Sequence, residues 1–167
     1  MATVYISLGS NLGNRLGHLR KAAALLEQDK RITRLKVSSC YETEPQEVRA
    51  QPKYLNAVAR LATQYSDLEL LKILQGIEAK CQRKRGLRFG PRTLDLDLLV
   101  YGRTRKNSRK LKLPHPRMAQ RRFVLVPLKE VARKIWYKGS MKSVAQLLKK
   151  AGAVPGQDVV LYKRNWN

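Results

Sequence analysis

Two acids at a spacing of two, Asp95 and Asp97, lie in the stretch Phe-Gly-Pro-Arg-Thr-Leu-Asp-Leu-Asp-Leu-Leu-Val-Tyr-Gly from Phe89 to Gly102. Leu94 to Tyr101 alternates, with Gly-Pro before it and Gly after, which is the pattern of a strand. Strand side chains repeat every two residues, so Asp95 and Asp97 project from one face and Leu94, Leu96 and Leu98 from the other. Carboxylates about 6–7 Å apart along a strand repel unless positive charge lies between them. A hard divalent cation such as magnesium suits that gap, with water and phosphate oxygens completing its shell. The plainer alternative is a solvated polar face. Scarcity argues against it: the chain has 12 Asp plus Glu against 35 Lys plus Arg, and two of those acids stand together here.

The loop that feeds this strand is basic: Arg83, Lys84, Arg85, Arg88 and Arg92 fall within ten residues, with Gly86, Gly90 and Pro91 excluding a continuous helix. Arginine presents a rigid fork of donors that matches phosphate oxygens. Cations beside metal-binding carboxylates make chemical sense when a polyphosphate lies between them, the arrangement used for phosphoryl-type transfer. The glycines suit a loop that closes over substrate. Later in the chain, Lys110, Lys112, His115, Arg117, Arg121 and Arg122 add positive charge, with His115 pinned between prolines as a candidate hydrogen-bond donor to phosphate, a structural role being the plainer alternative. A third group differs in kind. Thr43, Tyr54, Asn56 and Phe123 offer a hydroxyl, an amide and two aromatic faces, enough to hold a flat heteroaromatic ring and read its edge. The same aromatics would serve equally in a core.

Several elements must position these groups. Thr3 to Leu8 reads as a strand, Gly9 to Asn14 as a turn whose glycines permit close packing, and Arg15 to Gln28 as a helix with Leu16, Leu19, Ala22, Ala23 and Leu26 at helical spacing. The Gly9-Ser-Asn-Leu-Gly13 turn lacks the features of a phosphate-binding P-loop. Ile32 to Glu44 reads as one long strand and Tyr54 to Thr63 as its antiparallel return. Ser66 with Glu69 forms a capping box for a helix to about Lys80, with Leu68, Leu71, Leu74 and Ile77 predicted on one face. After the aspartate strand come a basic hairpin or loop (103–112), an extended Leu113-Pro-His-Pro116 and a segment from Met118 to Val131 broken near Pro127. A minor strand at Ile135–Lys138, a capped helix at Ser143–Lys150 and an edge strand or tail at Val159–Tyr162 complete the chain. The order strand, helix, strand, strand, helix, strand predicts an α/β (α+β) ferredoxin-like antiparallel sheet with helices on one face, in a single domain covering 1–167.

Length and composition agree with one globular unit of 167 residues and 43% hydrophobic content. No apolar run reaches the ~20 residues of a membrane span, and the start leads directly into a strand pattern, so no signal peptide and no membrane association are expected. Cys40 and Cys81 lack metal or redox spacing and read as reduced thiols of a cytoplasmic protein. The net charge of +23 implies an anionic partner: nucleic acid, phosphorylated small molecules or an anionic surface.

At this level of detail the chain resembles the 6-hydroxymethyl-7,8-dihydropterin pyrophosphokinase family. The resemblance is carried by Gly9-Ser-Asn-Leu-Gly13, Tyr41-Glu-Thr-Glu-Pro45, Gln51-Pro-Lys-Tyr-Leu-Asn56 and Gly90-Pro-Arg-Thr-Leu-Asp-Leu-Asp97. Leu113-Pro-His-Pro-Arg-Met118 and Arg121-Arg-Phe-Val-Leu-Val-Pro-Leu128 complete it. It implies transfer of pyrophosphate from ATP to the pterin hydroxymethyl oxygen, releasing AMP, in folate biosynthesis. It implies two magnesium ions on Asp95 and Asp97, and nucleotide contacts from Gln75, Glu78, Arg85, Arg88, Arg92, Leu98, His115 and Arg121, to which Lys110 and Lys112 are added as nearby cations. Arg83 and Arg92 match arginines of a mobile catalytic loop. Thr43, Pro45, Tyr54, Asn56 and Phe123 match a pterin pocket with the ring stacked between Tyr54 and Phe123. Phe89 stands where tryptophan is frequent and keeps an aromatic face there. Glu47 and Gln82 replace glycines usual in the family, and Pro116 replaces a tyrosine found in some members.

The resulting expectation is a monomeric, magnesium-dependent pyrophosphokinase with in-line attack at the β-phosphorus. Asp97 is the candidate base should one be needed, and no specific nucleic acid is expected as partner. The competing class is a basic nucleic-acid-binding module on the same kind of sheet. Against it stand the missing aromatic RNA-binding pattern and the acids on a key strand, which would repel RNA phosphates.

Overall fold

Alternation in the strands and capping at the helices set the architecture seen in the computed structural model, which describes residues 1–46, 50–82, 90–153 and 155–167. The strands of the main sheet are β1 (Ala2–Ser10), β2 (Ile32–Val37), β3 (Cys40–Thr43), β4 (Tyr54–Thr63), β5 (Asp95–Tyr101) and β10 (Val159–Lys163), ordered β10-β3-β4-β1-β5 with β2 also on β4. Every pairing in it is antiparallel. Two small hairpins, β6 (Lys106–Asn107) with β7 (Lys112–Leu113) and β8 (Lys134–Tyr137) with β9 (Ser140–Ser143), follow the central elements in sequence.

Helix α1 (Arg15–Glu27) starts where the Asn14 side chain accepts from the Gly17 amide, and it buries Leu19, Ala22, Ala23 and Leu26. Helix α2 (Asp67–Lys80) carries the predicted Ser66–Glu69 capping box. Its buried stripe is Leu70, Leu74, Ile77 and Glu78, not the predicted row from Leu68 to Ile77. Leu68 and Ile77 are nine residues apart, half a revolution at 3.6 residues per turn, so both cannot face the sheet, and Leu68 is exposed.

The predicted long strand from Ile32 to Glu44 is divided. Between the pairs Val37↔Ala59 and Tyr41↔Asn56, residues 38–40 oppose residues 57–58, which is one extra residue. Ser38 makes this bulge possible: its amide donates to the Val58 carbonyl and its Oγ accepts from the Val58 amide, both at 2.9 Å.

Helices on one face were predicted; the sheet is covered on both. One core unites Val4, Ile6 and Leu8 of β1, Leu55, Ala57, Ala59 and Leu61 of β4, and Leu96 and Leu98 of β5 with α1 and α2. The second core lies on the opposite face. There Tyr5, Val58, Leu99 and Val100 meet α3 (Arg122–Val131), Ile135 and Tyr137 of β8, and Val144 of α4 (Val144–Ala151). Nor does α3 break at Pro127. Its apolar stripe of Val124, Leu125, Leu128 and Val131 is buried, and a proline costs a ten-residue helix one backbone bond. The Leu113–Pro116 run, predicted extended, bends instead: the Leu113–Pro114 peptide is cis, the His115 amide donates to the Leu99 carbonyl at 2.8 Å, and Pro116 begins a turn into a 3-10 segment at Met118–Gln120. Cys40 and Cys81 are buried and unpaired. Among the described residues no helix is long and apolar enough to cross a membrane.

Candidate functional site

Helix α3 covers only part of the second face, and the uncovered part is where the sheet turns polar. Register places Tyr41, Asn56, Gly9 and Asp95 side by side on β3, β4, β1 and β5, with Ser7 beside Asp97 one step along. Period two therefore sends Ser7, Gly9, Asn56, Asp95 and Asp97 to one surface. All five line a cleft of about 200 Å³, together with Thr43, Glu44, Pro45, Gln46, Gln51, Tyr54, Arg92, His115, Arg117, Arg121 and Phe123. Gly9 forms the low point of this row. A Cβ there would stand 3.1 Å from Asn56 Oδ1 and 3.8 Å from Tyr54 Cδ1, so a side chain would fill the floor.

One end of the cleft is neutral and prepared. Asn56 and Thr43 are buried, and Asn56 Nδ2 donates to Thr43 Oγ1 at 2.7 Å, which fixes the amide and directs its oxygen toward Gly9. Tyr54, Pro45 and Phe123 supply apolar surface nearby. This end can hold a flat ring and hydrogen-bond its edge.

The other end is charged. Asp95 and Asp97 are half-buried, and Arg92 Nη1 bonds Asp95 Oδ2 at 2.9 Å. Burial, then the charges of Arg121 and Arg117, push the His115 imidazole down to about 4, against a smaller upward pull from Asp95. The ring is therefore neutral near pH 7. Its Nδ1 accepts from the Arg117 amide at 3.3 Å, which leaves Nε2 as the N–H available to an acceptor. The Arg121 guanidinium lies over the Phe123 ring, 5.4 Å from its centroid, at the junction of the two ends.

Among the described residues no cluster of three or more His, Cys, Asp or Glu forms, so the protein offers the Asp95–Asp97 pair. Two carboxylates with the remaining positions left to water and phosphate oxygens fit magnesium, and they do not fit a closed structural zinc site.

The structure thus brings together Asp95, Asp97, Arg92, His115, Arg121, Thr43, Pro45, Tyr54, Asn56 and Phe123 from the sequence-derived set. Others lie elsewhere. Gln75 is exposed on α2, Lys110 and Lys112 are exposed around the β6–β7 hairpin, and Leu98 sits in the core on the far face from Asp97. Glu78 is buried beneath β5, where its Oε1 accepts from the Leu96 amide at 2.7 Å and fixes the strand that carries the acids. Arg83, Arg85, Arg88, Phe89 and Glu47 fall outside the described residues. Sequence reasoning missed Ser7, Gly9, Glu44, Gln46 and Gln51 as lining residues. For Ser7 and Gly9 the signal was the small side chains at spacing two in an otherwise apolar strand.

The family described as 7,8-dihydro-6-hydroxymethylpterin-pyrophosphokinase (HPPK) matches residues 5–133. The 2-amino-4-hydroxy-6-hydroxymethyldihydropteridine pyrophosphokinase of Bacillus subtilis is 45% identical over 131 residues, 78% of this chain and 78% of that protein. A mitochondrial folate synthesis bifunctional protein of Arabidopsis thaliana is 47% identical over 125 residues, 75% of this chain but 22% of the longer relative. In fold, the chain is similar to a solved Plasmodium falciparum HPPK-DHPS protein, with a TM-score of 0.66 at 14% identity, covering 90% of this chain and 43% of that one.

Proposed function

The chain belongs to the 7,8-dihydro-6-hydroxymethylpterin-pyrophosphokinase family, and from that premise we propose that its cleft carries pyrophosphate from ATP to the hydroxymethyl oxygen of 6-hydroxymethyl-7,8-dihydropterin, a step of folate biosynthesis. The observation that supports this most directly is the juxtaposition in one cleft of a neutral Asn56–Thr43 end and a charged Asp95–Asp97–Arg92 end.

The pterin lies at the neutral end, its ring between Tyr54 and Phe123 and its edge read by Asn56 and Thr43. Pro45 closes one side, and Phe89 is assigned to the pterin on family resemblance alone. The hydroxymethyl group then points toward the β5 carboxylates. The triphosphate lies at the other end, where Arg92 and Arg121 balance its charge and neutral His115 donates from Nε2. The pterin oxygen attacks the β-phosphorus, the bond from that phosphorus to the α-side bridging oxygen breaks, and AMP leaves. The hydroxyl proton passes to Asp97 or to water. Asp95 and Asp97 would hold magnesium, which when bound shields the phosphate charge. Most of the rate then comes from positioning and from fixed charge near the transferring group. Gln75, Glu78, Leu98, Lys110, Lys112 and the loop residues Arg83, Arg85 and Arg88 carry nucleotide or catalytic roles on family resemblance alone. We assign the activity to a monomeric unit spanning 1–167.

The deciding experiment is product analysis. Purified protein with ATP, magnesium and 6-hydroxymethyl-7,8-dihydropterin yields AMP and the pterin diphosphate; ADP in place of AMP, or no pterin-dependent product, refutes the assignment. A nucleic-acid platform on this sheet is disfavoured, because its open surface presents Asp95 and Asp97 where backbone phosphates would lie.

A further inference from the structure

We propose that Asn11 is a positioning residue that sets the span between the two ends of the cleft by tying the segment carrying Arg92 to the segment that leads into Tyr54 and Asn56. The inference rests on the pyrophosphokinase reading above. Asn11 is 1% exposed and does not line the cleft, and the Gly9–Gly13 stretch reads from sequence as a packing turn. Its bonds say more than packing. Its Oδ1 accepts from the Arg92 amide at 2.7 Å, and its own amide donates to the Arg92 carbonyl at 3.0 Å, so both backbone polar groups of Arg92 are held by this one residue. Its Nδ2 donates to Gln51 Oε1 at 3.1 Å and to the Pro52 carbonyl at 3.3 Å. Gln51 lines the cleft, and Tyr54 follows two residues after Pro52.

The residue type is what this task requires. One short side chain must present an acceptor to one segment and donors to the other. Aspartate keeps the acceptor and loses the donors, glutamine is a methylene too long, and alanine loses all three side-chain bonds. The link acts at the backbone, so it aims the Arg92 guanidinium without touching it. A misplacement of about 1 Å in such a group costs on the order of 100-fold in turnover.

The test is a double-mutant cycle between Asn11→Ala and Arg92→Ala, read as kcat, the KM for each substrate, and equilibrium binding of pterin and of a non-hydrolysable ATP analogue. We expect Asn11→Ala to lower kcat on the order of 100-fold while both binding constants stay within about 3-fold. In the Arg92→Ala background the same substitution should cost less than about 5-fold, because no guanidinium remains to be aimed. An equal loss with and without Arg92, a wild-type kcat, or a loss matched by the fraction of unfolded protein overturns the proposal. Should Asn11→Ala fail to fold, Asn11→Asp and Gln51→Ala replace it. Asn11→Asp removes both side-chain bonds to the Gln51–Pro52 segment and Gln51→Ala removes one of the two, while the bond to the Arg92 amide remains in each; each should reduce kcat more than it raises KM, Asn11→Asp the more strongly, and unchanged kcat in both overturns the proposal. The wild-type protein separates the two claims: wild type that forms no AMP removes the pyrophosphokinase reading and this inference with it, whereas active wild type with an indifferent Asn11 removes this inference only.

Discussion

The same strands build both faces of the sheet, yet one face is sealed along its length and the other is open at one end. On the sealed face β1, β4 and β5 send Val4, Ile6, Leu8, Leu55, Ala57, Ala59, Leu61, Leu96 and Leu98 into a single apolar core under α1 and α2. On the other face composition changes along each strand. Tyr5 and Val58 meet α3, then Ser7, Gly9 and Asn56 give way to the cleft. A ten-residue helix spans about 15 Å, less than the length of β1 or β4, so α3 alone does not cover that face from end to end. The difference teaches that the site is placed by where covering stops. Stability and chemistry are thereby assigned to alternate residues of one strand.

Adjacent residues of β5 give the sharpest break. Asp97→Ala should lower AMP formation by at least about 1000-fold with little change in denaturation midpoint, because it removes charge from a surface that is already open. Leu96→Ala, one residue back but facing the sealed core, should cost about 2–5 kcal/mol of stability while the folded fraction keeps its turnover. AMP release and denaturant titration on both variants check this. An unfolded Asp97→Ala, or a stable but inactive Leu96→Ala, breaks the comparison. Next in size, Asn56→Ala removes a buried amide from the neutral end. It should weaken pterin binding about 10- to 100-fold and leave binding of an ATP analogue unchanged, as measured by calorimetry.

A pH dependence separates the faces further. His115 stays neutral in the folded protein down to about 4, whereas in the unfolded chain it takes up a proton near 6.5. Across that window the unfolded state binds more protons, so stability falls as pH falls from about 6.5 toward 4. His115→Asn should flatten that part of the profile, visible as a smaller difference between denaturation midpoints at about pH 7 and about pH 4.5. The smallest effect belongs to the sealed side: Ser66→Ala removes the α2 capping box and should cost about 1 kcal/mol with no change in AMP formation.

Much of this arrangement was legible in local pattern. Alternation from Leu94 to Tyr101 separates the two acids from their leucine neighbours, the Ser66–Glu69 box locates α2, and Val159–Tyr162 reads as an edge strand or tail, of which the fold makes it the strand β10. Grouping Thr43, Tyr54, Asn56 and Phe123 matched what the fold brings together at the neutral end. What escaped depends on partners distant in the chain. Nothing within Gly9-Ser-Asn-Leu-Gly13 indicates that β1 lies between β4 and β5, yet that neighbourhood makes Gly9 the floor of the cleft. The bulge at Ser38 needs the Val58 amide to be recognised. The second core needs α3, whose proline suggests a break from sequence but whose buried stripe holds it as one helix.

Strand β10 lies on β3, beside the neutral end of the site, and so moves the sheet's open margin outward. Val160, Leu161 and Tyr162 are exposed there, next to a row of backbone groups with no strand alongside them among the described residues. Such a margin invites another chain to add itself. The +23 charge of the molecule, with Lys163 ending that strand and Arg164 following it, opposes it by mutual repulsion. That protection is colloidal rather than structural: salt shortens the reach of the repulsion to about 10 Å at 0.1 M and about 3 Å at 1 M, so the dispersal of this protein depends on the ionic strength around it.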